Sequence, residues 1–204
     1  LIAWWTAIEV IHSQSYTHIL RNVYPNPSKV FDEMKGIREI VECGDSVSVH
    51  YDELLERQKR LEYGHFETKR SLYRSLLATN ALEQIRFQVS FACTFAFGQQ
   101  DLMSGSSKIV GLIRQDEALH CGITQNLLKY LPQDDEDFIR IAEEERATAK
   151  EIYLDVHKQE KEWVDFLFQE GPIFGLTPEE LKLYLDWLVD NRKQHFGLES
   201  DIVA

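Results

Sequence analysis

At 204 residues, with 44% hydrophobic and 27% charged side chains, the chain has the length and composition of one globular domain with a real core. A net charge of −12 and a pI near 5.0 exclude a nucleic-acid binder, which needs a basic footprint. No stretch approaches the roughly 18 apolar residues of a membrane span. Leu1 to Ile11 is apolar but holds Glu9 and has no basic flank, so it is not read as a signal peptide. The missing initial Met leads us to expect that the chain starts inside a longer protein. Cys43, Cys93 and Cys121 show no paired spacing, which reads as reduced thiols in a cytoplasmic protein.

The 10 Gly and 5 Pro fall at a few breaks, as expected of long helices with short connections. A first helix is predicted from Ile2 to Val23, ended by Tyr24-Pro25-Asn26-Pro27. A short helix follows from Ser28 to Met34, then a polar stretch around Cys43-Gly44-Asp45. The next helix begins near Val47 and fades at Tyr63-Gly64-His65. A long one runs from about Glu67 to Leu102, stopped by Ser104-Gly105-Ser106, and another from Lys108 to Tyr130, ending at Leu131-Pro132. Asp134 and Asp135 can cap a helix reaching about Gln169. The last opens on the capping box Thr177-Pro178-Glu179-Glu180 and continues to about Phe196. No repeat and no convincing strand interrupts this order, so the class is all-α, a helix bundle.

Glu-x-x-His places a carboxylate and an imidazole on one helix face, where both can hold one metal ion. With 21 Glu and 7 His, chance alone supplies about 0.7 such motifs. The chain has three. Glu62/His65 straddles Gly64 among Arg60, Lys69 and Arg70, and is read as a solvated surface pair. Glu9/His12 and Glu117/His120 lie in apolar helices, where unpaired charges are costly and a shared metal would account for both. Glu83 is a third carboxylate in an apolar helical segment; taken alone, a buried salt bridge with Arg86 is the commoner outcome. Two Glu-x-x-His helices with single carboxylates on two further helices make a dinuclear carboxylate site in a bundle. Three of those four helices are visible here.

Tyr16 follows His12 at i+4, so Glu9, His12 and Tyr16 form one stripe. A packed tyrosine with a satisfied hydroxyl is the ordinary reading. Beside an oxidising metal pair, the same phenol is a one-electron donor that needs shielding from water. Phe87 and Phe91, at i+4 and i+8 from Glu83, extend that helix face as an apolar wall. Ile113, four before Glu117, can do the same.

Several segments together resemble the small, radical-generating subunit of class I ribonucleotide reductase. They are Glu9-Val-Ile-His12-Ser-Gln-Ser-Tyr16-Thr-His18, Asn80-Ala-Leu-Glu83-Gln-Ile-Arg86-Phe87, Val89-Ser-Phe91-Ala-Cys-Thr-Phe95-Ala-Phe97 and Arg114-Gln-Asp116-Glu117-Ala-Leu-His120. The likeness continues through Gln159-Glu-Lys-Glu-Trp163, Asn191-Arg192 and Gly197-Leu198. It implies a ferritin-like bundle with a dinuclear metal site. Glu9 and His12 would serve the iron nearer the tyrosine, with Glu9 bridging. Glu83, Glu117 and His120 would serve the second iron, with Glu117 as the other bridge. Tyr16 would carry the stable tyrosyl radical formed when the two irons activate oxygen, and Phe87, Phe91 and Ile113 would line its pocket. Asp116 would orient His12 and link it to a long-range radical path. The radical would pass to a separate large subunit that reduces ribonucleotides to deoxyribonucleotides. A homodimeric small subunit in the cytoplasm is implied, and two manganese ions are the alternative metal content.

The family also has an Asp ligand, and further upstream a Trp of the radical path, before the first Glu-x-x-His; only eight residues precede Glu9 here. The family's C-terminal docking tail is likewise beyond Ala204. The expectation is therefore one helical domain over 1–204 with an incomplete ferritin-like core, completed by an N-terminal fragment that brings the Asp. Asp52, Glu53 or Glu56 are local substitutes the sequence permits. Two other functions compete: a diiron oxidase without a long-lived radical, and an inactive structural piece of the assembly. Cys121 beside His120 reads as a packed thiol.

Overall fold

The computed structural model describes residues 1–195, and all its named elements are helical. They are α1 (Ile2–Val23), α2 (Pro27–Met34), α3 (Arg38–Lys59), α4 (Phe66–Ala81), a π turn (Leu82–Arg86), α5 (Phe87–Gln99), α6 (Ser104–Asp134), α7 (Glu136–Glu144), α8 (Arg146–Phe168) and α9 (Pro178–His195). The predicted end at Phe196 and the Gly197-Leu198 segment lie outside the described residues. No helix among the described residues is long and apolar enough to cross a membrane.

Five features differ from expectation: α6 runs through Pro132 to Asp134 instead of ending at Leu131-Pro132, and four others have a local reason. α3 starts at Arg38 and runs straight through Cys43-Gly44-Asp45. A mid-helix Gly costs about 1 kcal/mol, but Ile40, Cys43 and Val47 at helical spacing are half-buried, and α3 packs against α4 and α8. The long helix predicted over 67–102 is real in extent but contains the π turn at Glu83. Ser104-Gly105-Ser106 opens α6 instead of ending the previous helix; the reversal is made at positive φ by Asp101 and Met103. α5 and α6 approach closely there, and a Cβ on Gly98 would sit 2.7 Å from Ser107 Cβ. Finally, the helix predicted from Asp135 to Gln169 breaks at Glu145 into α7 and α8. Two caps are as expected: Asp135 accepts from Asp137 N, and Thr177 Oγ1 accepts from Glu180 N.

The main core lies where α4, the π turn and α5 meet α6, α7, α8 and α9, around Leu77, Ile85, Ile141, Tyr153, Val164 and Leu185. On α8 the buried positions Ala149, Tyr153, Val156, Glu160 and Val164 recur every three or four residues, the spacing of one helix face. A smaller cluster of Phe91, Val110 and Ile113, with Ile19, Phe87 and Phe95 against it, sits where α1, α5 and α6 meet. α1 lies against α6, while Trp4, Val10 and Ile11 of α1 and Leu112 and Leu119 of α6 remain exposed.

The break at Glu145 is held by charge. Glu145 is 2% exposed and accepts from Arg70 Nη1 at 2.7 Å and from Arg74 Nε at 2.7 Å. Glu145→Ala leaves Arg70 with Glu144 and Glu67 and Arg74 with Glu53, and is expected to cost about 1–3 kcal/mol, below the fully buried case because both arginines are partly solvated and keep other partners. Chemical denaturation measures it; a loss under about 0.5 kcal/mol would make the network decorative.

Glu160 is the opposite case. It is 4% exposed, its Oε2 has no hydrogen-bond partner, and burial pushes its carboxyl up to about 8, with Arg86 opposing. A carboxyl whose pKa rises on folding favours the fold fully below about 4.5 and loses that contribution as pH rises through about 8. Glu160→Gln is therefore expected to remove a pH-dependent loss on the order of a few kcal/mol between pH 5 and pH 9. Parallel stability–pH curves for the two proteins would contradict this.

Candidate metal centre

Three segments bring the site together. α1 contributes Trp5, Glu9, His12 and Tyr16 at helical spacing, the π turn contributes Glu83, and α6 contributes Asp116, Glu117 and His120. Glu9, Glu83, Glu117 and His120 each offer a ligand atom within 4.8 Å of the others. His120 Nδ1 stands 3.1 Å from Glu9 Oε1, 3.1 Å from Glu117 Oε2 and 3.8 Å from Glu83 Oε1. His12 Nδ1 lies 3.2 Å from Glu117 Oε1 and 3.5 Å from Glu9 Oε2. Its Nε2 meets Asp116 Oδ2 at 3.1 Å, so the carboxylate of Asp116 sets the ring's orientation. Glu9 and Glu117 thus each face both imidazoles.

The electrostatics ask for a cation. Glu83 is 5% exposed, and burial first, then Glu117 and Glu9, push its carboxyl up to about 9. Glu117 is pushed to about 7 by burial, then by Glu9. The salt bridge from Glu83 to Arg86 that the isolated segment suggested is not formed: Arg86 Nη2 donates to Ser46 Oγ. Glu53 is held by Arg57 and Ser71, and Glu56 by Lys59, so neither takes part in this cluster. Burial lowers the His120 pKa, favouring the neutral imidazole that a metal takes. His12 Nδ1, Glu83 Oε2 and His120 Nε2 are buried without hydrogen-bond partners. Among the described residues none of the Glu9, Glu83 and Glu117 carboxylates forms a salt bridge to a lysine or arginine, and buried carboxylates gathered with orphaned imidazole nitrogens fit divalent cations with mixed O and N preference.

The residues expected around Tyr16 form an apolar cluster of their own. Phe91 and Ile113 are 2% and 3% exposed, and Phe87 packs on them. Tyr16 itself is 42% exposed, less shielded than expected, although burial and then Glu117 push its hydroxyl up to about 12. Glu62/His65 is a surface feature, Glu62 pairing with Arg57, as read from its neighbours. Cys121 is packed at 4% exposed. Sequence reasoning missed Trp5. Its Nε1 donates to Glu9 Oε1 at 2.9 Å, and its ring stacks on His120 with centroids 4.7 Å apart. Its position four residues before Glu9, on the same stripe, was the available signal.

The chain is 39% identical over 215 residues to ribonucleoside-diphosphate reductase 1 subunit beta of Salmonella typhimurium, covering 96% of this chain and 56% of that protein. It is 40% identical over 213 residues to the corresponding subunit beta of Haemophilus influenzae, covering 95% and 56%. With the subunit beta of Enterobacteria phage T4 it shares 36% over 227 residues, covering 98% and 58%. The chain therefore spans little more than half the length of these relatives. In fold it resembles the R2 subunit from Clostridium botulinum, with a TM-score of 0.78 and 24% identity over 96% of this chain and 59% of that one. A class I ribonucleotide reductase chain from Bacillus halodurans gives 0.80 and 22%, covering 98% and 60%. The sequence profile described as "Ribonucleotide reductase, small chain" matches residues 2–201, and the chain belongs to that family.

Proposed function

We propose that this chain is the metal-binding core of a radical-generating ribonucleotide reductase small subunit. The observation that carries this is the convergence of Glu9, Glu83, Glu117 and His120 within 4.8 Å, with His12 and Tyr16 on the same helix stripe. Glu9 and His12 would hold the metal nearer Tyr16, and Glu83, Glu117 and His120 the other, with Glu9 and Glu117 shared. Two irons are the expected content; two manganese ions are distinguished by metal analysis. When bound, the pair supplies the oxygen-dependent oxidation that removes one electron from the phenol. Asp116 keeps His12 oriented. The Tyr16 hydroxyl, pushed up to about 12, is protonated at neutral pH, so its proton must leave with the electron. Phe87, Phe91 and Ile113 would exclude water from one side of the phenol.

The remaining assembly is part of the same reading. A large subunit would use the radical to reduce ribonucleotides to deoxyribonucleotides in the cytoplasm. A further helical piece bearing the Asp ligand would cover the exposed Trp4, Val10, Ile11, Leu112 and Leu119, completing the ferritin-like domain and giving Tyr16 the shielding it lacks here. The small subunit would be a homodimer. A second reading, an oxidase without a long-lived radical, draws support from the 42% exposure of Tyr16. Low-temperature EPR after ferrous iron and oxygen, with and without the piece carrying the Asp, separates the two. A tyrosyl doublet supports the radical subunit; bound metal with no radical in either sample favours the oxidase.

A further inference from the structure

Asn80 is 0% exposed near the end of α4, three residues before Glu83. Its amide joins three helices. Oδ1 accepts from Tyr153 Oη of α8 at 2.8 Å, while Nδ2 donates to Thr124 Oγ1 of α6 at 2.8 Å and to Cys121 O at 3.3 Å. A carbonyl only accepts, so Cys121 O fixes which way round the amide sits. Thr124 and Tyr153 are also 0% exposed. Thr124 Oγ1 in turn shares its proton between His120 O and Cys121 O, both at 3.1 Å. The tie therefore ends on the backbone of His120 itself, whose Nδ1 stands 3.8 Å from Glu83 Oε1.

Apolar contacts are non-directional, whereas a hydrogen bond holds only over a few tenths of an ångström and a limited range of angles. A leucine of similar volume would bury at this position with no polar group to satisfy. In coiled coils a single buried Asn fixes register at a cost in stability, and Asn80 has the same character. The π turn starts at Leu82, where the regular α-helical ladder gives way, so Asn80 is the last side-chain anchor before Glu83. We propose that Asn80 is a positioning residue: it sets the register of α4 and the π turn against α6, and so holds Glu83 opposite His120 at the spacing of a shared metal site. Its consequence for metal rests on the functional reading above; the register itself does not.

Asn80→Leu in the intact protein is expected to stay helical and to bind cobalt(II) about tenfold or more weakly, as losses of an outer hydrogen-bond partner do. Its metal-free crystal structure should show Glu83 and His120 displaced relative to each other by more than about 0.5 Å, the tolerance of a working site. Thr124→Ser keeps the accepting hydroxyl and should match wild type in both respects. Ile141→Ala is the control, since Ile141 is buried on α7, which contributes nothing to the cluster. It should lower the denaturation midpoint and leave cobalt affinity and the visible cobalt bands unchanged. An Asn80→Leu structure with the Glu83–His120 spacing intact, or a cobalt affinity no lower than that of Ile141→Ala, would overturn the proposal. If Asn80→Leu does not fold, Thr124→Val, which exchanges the accepting hydroxyl for a methyl, decides by the same two readouts. A wild type that takes up no cobalt, with the spacing still lost in Asn80→Leu, would overturn the functional reading and leave the register.

Discussion

Glu117→Ala is expected to bind metal at least about 100-fold more weakly, a larger effect than losing an outer hydrogen-bond partner usually has. Glu117 is 4% exposed, and its two oxygens lie 3.2 Å from His12 Nδ1 and 3.1 Å from His120 Nδ1. Removing it takes a ligand from both halves of the site at once. Glu9 faces the same two imidazoles but is 45% exposed at its side chain and cannot replace the buried carboxylate by a rotamer change alone. Without metal the variant should fold at least as well as the wild type, since burial and Glu9 push the Glu117 carboxyl up to about 7 and its charge is a cost. Metal titration followed by elemental analysis, with circular dichroism for fold, makes the measurement. Glu62→Ala is the control, because Glu62 belongs to the surface motif and should leave metal content unchanged. A Glu117→Ala protein that still holds two metals per chain would show that the centre lies elsewhere.

Tyr16→Phe is expected to abolish the tyrosyl EPR doublet completely while leaving metal content and stability near wild type. The two side chains differ by one hydroxyl, and the position is already 42% exposed, so little packing is at stake. The hydroxyl is what matters: phenylalanine has no group whose electron and proton can be removed together at accessible potential. Turnover with the large subunit should fall to background in the same variant. A doublet that survives would place the radical on another aromatic residue, and Trp5, stacked on His120, is the first to test by Trp5→Phe.

Much of this site was legible because helices convert sequence spacing into shared faces. Glu9, His12 and Tyr16 at i, i+3 and i+7 had to point one way once α1 was a helix, and Glu117 and His120 likewise on α6. Context separated Glu62/His65 from the other two motifs, since charges and a glycine surrounded it. Glu83 was not legible on its own. A lone carboxylate three residues before an arginine reads as half of a salt bridge, and only the packing of Arg86 toward Ser46 on α3 removed that partner. Trp5 was overlooked because an aromatic at helical spacing is ordinarily core. The helix ends misread at Gly44, Ser104 and Glu145 share a cause. Glycine and serine are weak breakers that tertiary packing overrides, and a glutamate in mid-helix gives no sign that two arginines 71 and 75 residues away hold a break open.

By itself, then, the sequence determined the helical class, most of the order of the helices and which faces of α1 and α6 gather candidate metal ligands, because these follow from periodicity within about two turns. Tertiary structure alone decided that side chains of α1, the π turn and α6 converge within 4.8 Å, that Arg86 turns from Glu83 to Ser46, and that Tyr16 stays partly exposed. Those outcomes depend on which side chains meet across long stretches of chain. Desolvation and charge are properties of that meeting and of no single segment.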